Sequence, residues 1–412
     1  MRYGRTILFD IFCGTLYDGN TEIFPIHERY YMEVCDMEKF CNAALFCPDG
    51  TFRRGGFTVE SGRFRDVFFG DASKGGTDLG GALVLPGLID IHIHGAAGAD
   101  FSDGDAEGTA RMARYLASHG ITSFAPASLT LPYDVLSRAY AVALDLHEHP
   151  LEDGARVMGI NMEGPFFSGK KKGAQNAAYL RNPDFDAFEK LYKDCKGLIR
   201  VADVAPELPG AVEFIEKASR LCTVSIAHTD CTYEEAAAAL DAGASHLTHL
   251  YNAMPSIHHR KPGPIGAGSE RESVVAELIS DGLHVHPSAV RMAFRLFPGR
   301  VCLISDALRC LGMPDGAYTI GGQDMMLKGH IATLSDGTIA GSATNLFDCM
   351  RNAVSFGIAR EEAILSASLI PAQEIGRADE IGSIEPGKLA DFLICSDALE
   401  LQRVYLGGTP IA

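Results

Sequence analysis

From residue 81 onward the chain alternates between short, uniformly apolar runs and longer stretches in which apolar positions recur every three or four residues. The runs are Ala82–His94, Thr122–Ser128, Arg156–Glu163, Ile199–Ala205, Thr223–His228, Ser245–His249, Val274–His284 and Val301–Asp306. They are rich in β-branched residues, as strands buried on both faces of a parallel sheet must be. The intervening stretches predict helices over Ala106–Ser118, Tyr133–Glu148, Asp184–Asp194, Gly210–Arg220, Thr232–Ala242 and Pro287–Leu296. Pro132 before Tyr133, and Thr232 ahead of Glu234 and Glu235, are helix-starting signals. Two more helices are expected near Thr344–Phe356 and Glu361–Ile375. Eight strands alternating with helices predict an α/β chain folded as a closed (β/α)8 TIM-type barrel over residues 81–379. The loop from Asn252 to about Ser273 is long for such a fold. Gly263, Pro264, Gly266 and Gly268 predict a shaped, non-helical path through it.

The two ends break the pattern. Residues 1–80 and 380–412 are turn-rich and strand-like, with punctuation such as Pro48-Asp49-Gly50 and Gly55-Gly56. They predict a small β-sandwich domain assembled from both ends beside the barrel. The stretch Tyr17–Arg54 has the least definite pattern.

Composition narrows the class. The 412 residues suffice for a large barrel and a smaller unit, and 47% hydrophobic with 22% charged residues excludes wholesale disorder. No apolar run approaches the ~20 residues of a membrane helix. The N-terminus continues into a short strand-like run containing Asp10, without the apolar core and cleavage site of a secretory leader, so the cytoplasm is the expected location. Eleven cysteines, an odd number without a Cys-x-x-Cys pair, fit reduced thiols better than a disulfide framework. Cys35, Cys41 and Cys47 lack a nearby fourth ligand and are expected to be structural. A net charge of −17 argues against nucleic acid and anionic membranes as partners. A small anionic substrate would need a local cationic patch. Arg260 and Lys261 in the long loop offer one, whereas Lys170-Lys171-Lys172 suits a solvated loop.

The chemistry sits where apolar runs stop. His92 and His94, two apart on a strand, face the same side, and the following Gly95-Ala96-Ala97-Gly98 leaves room for a ligand. Glu163 ends an apolar run, a costly place for a carboxylate unless it is paired or coordinated. His228 and His249 end the fifth and sixth runs, and Asp306 ends the eighth. His246 lies three residues before His249 and by alternation faces away, so its role is structural. His284 ends the seventh run and suits a donor to a carbonyl oxygen. Two readings fit this set: ligands for a divalent ion with an acid/base group, or buried hydrogen-bonding residues of a barrel core.

The order His-x-His, Glu, His, His, Asp over eight strands resembles the amidohydrolase superfamily of metal-dependent hydrolases. Within it, Met162-Glu163-Gly164-Pro165-Phe166, Thr248-His249-Leu250-Tyr251-Asn252-Ala253-Met254 and Asp281-Gly282-Leu283-His284 resemble the N-acetylglucosamine-6-phosphate deacetylases. Pro314-Asp315-Gly316-Ala317-Tyr318 and Gly337-Thr338-Ile339-Ala340-Gly341-Ser342 are similar as well, and the likeness covers roughly residues 80–395.

The resemblance implies that Glu163, His228 and His249 hold a metal and that His92 and His94 hold a second one. One or two divalent ions per subunit are therefore expected, with Zn, Fe, Mn and Co all compatible. It implies that Asp306 is the acid/base group and a metal contact. It also implies that His284, Asn252, Ala253, Ala174 and Gln175 contact the phosphosugar. Gln175 stands where the family more often has histidine. Arg260 matches an arginine that reaches the phosphate from a neighbouring subunit, which implies a homodimer. The expected reaction is deacetylation of N-acetylglucosamine 6-phosphate by a metal-activated water. The alternatives are another amidase or deaminase of the superfamily, and an inactive barrel acting as a binding protein.

Overall fold

The computed structural model of the protein describes residues 37–70 and 75–411. The strand-like run containing Asp10, Cys13, Cys35 and the part of Tyr17–Arg54 that precedes residue 37 lie outside the described residues. Eight parallel strands run in chain order: β1 (Leu88–Ile93), β2 (Ile121–Pro126), β3 (Ile160–Phe166), β4 (Ile199–Val204), β5 (Thr223–Ile226), β6 (His246–Leu247), β7 (Val275–Ile279) and β8 (Val301–Ile304). β3 through β8 pair in sequence, and β1 pairs with β2. A bridge between Ala127 and Asn161 joins the two groups. At the other end, Asp306 N–H donates to the His92 carbonyl and His94 N–H to the Ala307 carbonyl, both at 2.9 Å, so the last strand ends beside the first.

The helices fall between strands as the spacing predicts. Asp105 caps Ala106–Ser118 by accepting from Glu107 and Gly108 N–H, and Thr232 with Glu235 forms a full capping box on Tyr233–Asp241. Three expectations need correction. The apolar run Ala82–His94 divides at Gly87, and Leu83–Pro86 pairs into the sheet made from the chain ends, past the boundary expected at residue 80. A Cβ at Gly87 would lie 2.0 Å from Thr122 Oγ1, so only glycine lets the backbone pass so close to β2. The long loop after β6 is not free of helix, because Gly263–Ser269 is helical. Pro264 suits a first helical turn, and a Cβ at Gly268 would sit 2.7 Å from Leu247 Cδ1. Gly268 thus serves close packing against β6, while Gly263 supplies a left-handed turn at the start of the helix. The third is the last expected helix, which is two: Arg360–Ser366 and Leu369–Glu374, parted where the Ser368 hydroxyl donates to the Ile364 carbonyl at 2.6 Å.

Strands from both chain ends form one continuous sheet in place of the two sheets of a sandwich. Its order is Thr409–Ile411, Leu401–Leu406, Phe392–Cys395, Leu83–Pro86, Glu38–Phe46, Phe52–Glu60, Arg63–Phe69, with Thr77–Asp78 also on Glu38–Phe46. Phe57 and Phe392 lie three strand spacings apart, about 14 Å in a flat sheet at ~4.8 Å each. Their rings are 4.9 Å apart, so the sheet is strongly curled around a core that includes Phe40, Phe64 and Tyr405. A further antiparallel sheet, Gly316–Ile320, Gln323–Lys328, Ile331–Leu334 and Ile339–Ser342, follows β8 and is absent from the expectation above. Among the described residues no helix is long and apolar enough to cross a membrane.

Candidate active site

The side chains singled out in the sequence converge at the C-terminal ends of the parallel strands. His228, His249 and Asp306 each lie two residues beyond the last residue of β5, β6 and β8. All three have left-handed backbone, with φ of 44°, 29° and 47°. Non-glycine residues avoid that region, and strain of this kind gathers at functional sites. Turning the chain there points each side chain back over the strand ends. Glu163 lies within β3, His92 within β1, and His94 directly after it.

Glu163 is the centre. Its Oε1 is 3.0 Å from His228 Nε2, 3.3 Å from His249 Nε2 and 3.5 Å from His92 Nε2. Its Oε2 is 3.3 Å from His94 Nε2, which is also 3.3 Å from Asp306 Oδ1. A tetrahedral ion with bonds of ~2.0–2.1 Å separates its donor atoms by about 3.3 Å, so these spacings suit coordination. Two donor groups share Glu163: His92 with His94, and His228 with His249.

Ring orientation supports the same use. His92 Nδ1–H donates to Glu277 at 2.9 Å, His94 Nδ1–H to the Ala127 carbonyl at 3.1 Å, and His228 Nδ1–H to the Lys171 carbonyl at 2.9 Å. Each bond holds Nδ1 as the donor and turns Nε2 to the centre; the carboxylates outweigh burial and raise the pKa of His92 and His94, so an incoming cation displaces a proton there. His92 Nε2 is fully buried and has no hydrogen-bond partner among the described residues. An orphaned acceptor beside a carboxylate and three further imidazoles is the donor set of a divalent ion.

The charges favour this too. Burial alone would raise the Glu163 pKa, but His94, His228, His249 and His92 outweigh it and hold the carboxyl well below its ordinary range. Burial likewise works against ionised Asp306, and His94, His92 and His249 overcome it. Both carboxylates are thus held ionised by their surroundings.

These groups open on a cavity of about 190 Å³, which Ala174, Gln175, Asn252, Ala253 and His284 also line. A larger concavity of about 940 Å³ is lined by Asp281 and by none of the Glu163 cluster. Asp281 accepts His284 Nδ1–H at 2.7 Å and, through its other oxygen, the backbone N–H of Leu283 and His284. That leaves His284 Nε2 for the cavity. Burial pulls the His284 pKa down, but Asp281 outweighs it and the net shift is upward.

Not every expected residue falls where the sequence reading put it. Gln175 lines the cavity as expected but also donates one N–H to Glu163 Oε2 and accepts from Thr130 N–H at 2.7 Å, so it holds Glu163 as well. Asn252 turns its amide N–H groups to the carbonyls of His249 and Leu250. Arg260 is exposed, its guanidinium against His259, and does not line the cavity of its own chain. His246 is not part of the cluster, being 4.0 Å from Glu277 and 3.8 Å from Glu374, but alternation does not turn it away: it meets the same Glu277 carboxylate that bonds His92.

Sequence reasoning missed Glu277 and the segment Thr338–Gly341, which also lines the cavity. Glu277 had a signal. It interrupts the apolar run Val274-Val275-Ala276-Glu277-Leu278-Ile279 as Glu163 ends its own. Thr338–Gly341 had one too, since it falls within the block Gly337–Ser342 that resembles the family, but the sheet that delivers it was not anticipated.

The model of the amidohydrolase family matches residues 83–411 of the chain. The N-acetylglucosamine-6-phosphate deacetylase of Vibrio furnissii is 36% identical over 334 residues, covering 80% of this chain and 83% of its own. The N-acetylgalactosamine-6-phosphate deacetylase of Escherichia coli O157:H7 is 34% identical over 336 residues, covering 81% and 88%. A solved structure of N-acetyl-D-glucosamine-6-phosphate deacetylase from Mycobacterium smegmatis, a point mutant in complex with N-acetyl-D-glucosamine-6-phosphate, superposes with a TM-score of 0.85. It is 30% identical and covers 91% of this chain and 100% of that one.

Proposed function

The chain belongs to the amidohydrolase family, and we propose from its site that it hydrolyses the acetamide of N-acetylglucosamine 6-phosphate to glucosamine 6-phosphate and acetate. The observation that carries this reading is the Glu163-centred histidine set sharing one cavity with ionised Asp306 and His284. We take the parallel strands as a closed (β/α)8 barrel and the curled sheet from the chain ends as a separate small domain, which puts the cluster on the face where such barrels do chemistry.

Glu163, His228 and His249 would hold one divalent ion, and His92 and His94 with Glu163 a second. Such an ion, when bound, lowers the pKa of a water towards ~7 and polarises a carbonyl. Asp306 accepts the proton of the attacking water as its oxygen bonds to the acetyl carbon. It then delivers that proton to the amide nitrogen as the C–N bond breaks, so the amine leaves neutral. His284, oriented by Asp281, donates from Nε2 to substrate oxygen. Backbone around Asn252 and Ala253 walls the sugar. Arg260, exposed in its own chain, anchors the 6-phosphate across a homodimer interface, where a guanidinium fork suits a phosphate. The nine described cysteines are all free, in keeping with a reducing, cytoplasmic setting.

The Escherichia coli relative favours a second reading, in which the substrate is the galacto epimer. Acetate release should be compared for N-acetylglucosamine 6-phosphate, N-acetylgalactosamine 6-phosphate and unphosphorylated N-acetylglucosamine. The gluco phosphate should give the highest kcat/KM and the free sugar the lowest. Preference for the galacto epimer would move the assignment to it, and silence on all three would leave only an amidohydrolase of other specificity.

A further inference from the structure

A third cavity, of about 270 Å³, opens at the opposite end of the strands from the Glu163 cluster, and its polar walls are His147, Glu148, Lys196, Arg200 and Arg377. Arg200 follows the first residue of β4, His147 and Glu148 end the helix Tyr133–Glu148, and Arg377 follows the helix Leu369–Glu374.

The cations outnumber the anions. Glu148 is taken by Lys196 at 2.5 Å, and Glu380 by Arg377 at 3.4 Å. Arg200 has no ion pair or hydrogen bond among the described residues. Its Nε is fully buried without an acceptor, and so is the Nε of Arg377. A guanidinium does not escape this by losing its proton. Burial first, and then the charge of Arg377, lower the Arg200 pKa, so the two cations are close enough to repel. The Arg200 stem packs on the backbone at Gly159, where a Cβ would come within 2.7 Å of Arg200 Cγ. In a chain of net charge −17, a half-buried guanidinium facing another cation calls for an anion.

We propose that this cavity binds a phosphate-class oxyanion between Arg200 and Arg377, whose Nη2 donates to His147 Nε2 at 3.3 Å, with Lys196 at its edge. Planar guanidinium forks match such an oxyanion. The volume is below the ~300–1,000 Å³ of pockets for drug-sized ligands, so the occupant is small: inorganic phosphate, or the phosphate of a sugar phosphate. The site lies apart from the catalytic cluster and does not depend on the substrate assigned above.

Thermal unfolding of the metal-loaded enzyme would be followed against inorganic phosphate, glucosamine 6-phosphate and glucosamine, at matched ionic strength. Wild type, Arg200→Gln and Arg377→Gln would be compared. Any response from the catalytic cavity is common to all three proteins, so the difference between them isolates this site. Wild type should show a saturable rise in Tm that is smaller in both variants, with kcat/KM unchanged in Arg200→Gln. Without added anion, Arg200→Gln should be as stable as wild type or more so, since the repulsion is gone. A rise with phosphate assigns the free anion. A rise only with glucosamine 6-phosphate assigns a sugar phosphate. An equal response in all three proteins, or none in wild type, overturns the proposal.

Discussion

Glu277 Oε2 accepts the Nδ1–H of His92 at 2.9 Å and the backbone N–H of His249 at 3.1 Å. One buried carboxylate oxygen therefore orients a donor in each half of the Glu163 cluster. Partners of this kind, one bond behind the ligands, are typically worth 10–100-fold in metal affinity. Glu277→Gln should lose about that much for both ions, read by competition with a chelator, with the far-UV circular dichroism unchanged. Wild-type affinity in the variant would mean that the bond to His92 is incidental.

Asp306 is assigned the proton transfers, and its carboxylate is kept ionised by the surrounding histidines. Asp306→Asn keeps the shape but cannot accept the proton. We expect kcat to fall by about 10²–10⁴-fold or more with substrate binding retained. Turnover within a few-fold of wild type would remove Asp306 from that role.

Gln175 separates two readings of one residue. As a substrate contact its loss would raise KM. As the donor to Glu163 Oε2, the oxygen facing His94, its loss should loosen the His92–His94 half. We expect Gln175→Ala to bind fewer ions per chain, by elemental analysis, with KM for the phosphosugar changed less than kcat.

Glu374 makes a prediction about pH. Burial first, and then the charge of Glu277, raise its pKa from 4.5 to about 8. Between those values the unfolded chain gives up the proton and the folded one keeps it. Stability from this group is thus complete below pH 4.5 and is lost as pH rises through about 8. Glu374→Gln should match wild type near pH 5 and exceed it near pH 9, by an amount on the order of a few kcal/mol. Parallel stability curves for the two proteins would contradict the assignment.

The catalytic cluster was legible because its residues violate a simple pattern. Glu163, His228, His249 and Asp306 place polar groups at the ends of apolar runs, where burial is costly without a partner. Alternation did not part His246 from His249 as expected, because His249 has left the strand at a left-handed residue and His246 meets Glu277, which also bonds His92. Less legible were features that depend on distant parts of the chain. Glycines after β6 suggest an irregular path locally, yet Gly268 is explained by Leu247 across the packing. Whether Leu83–Pro86 extends β1 or joins another sheet depends on Phe392–Cys395, which pairs with it from near the other end of the chain. Gln175 reads as a substrate contact until Glu163 and Thr130 are seen on either side of it.

The most direct test of the central claim is acetate release from N-acetylglucosamine 6-phosphate by enzyme stripped with a chelator and then titrated with a divalent metal, with bound metal counted in parallel. The account predicts no turnover without metal and recovery as the Glu163 cluster fills, with no such recovery in Glu163→Gln. Full activity in demonstrably metal-free enzyme, or recovery in Glu163→Gln equal to wild type, would contradict it.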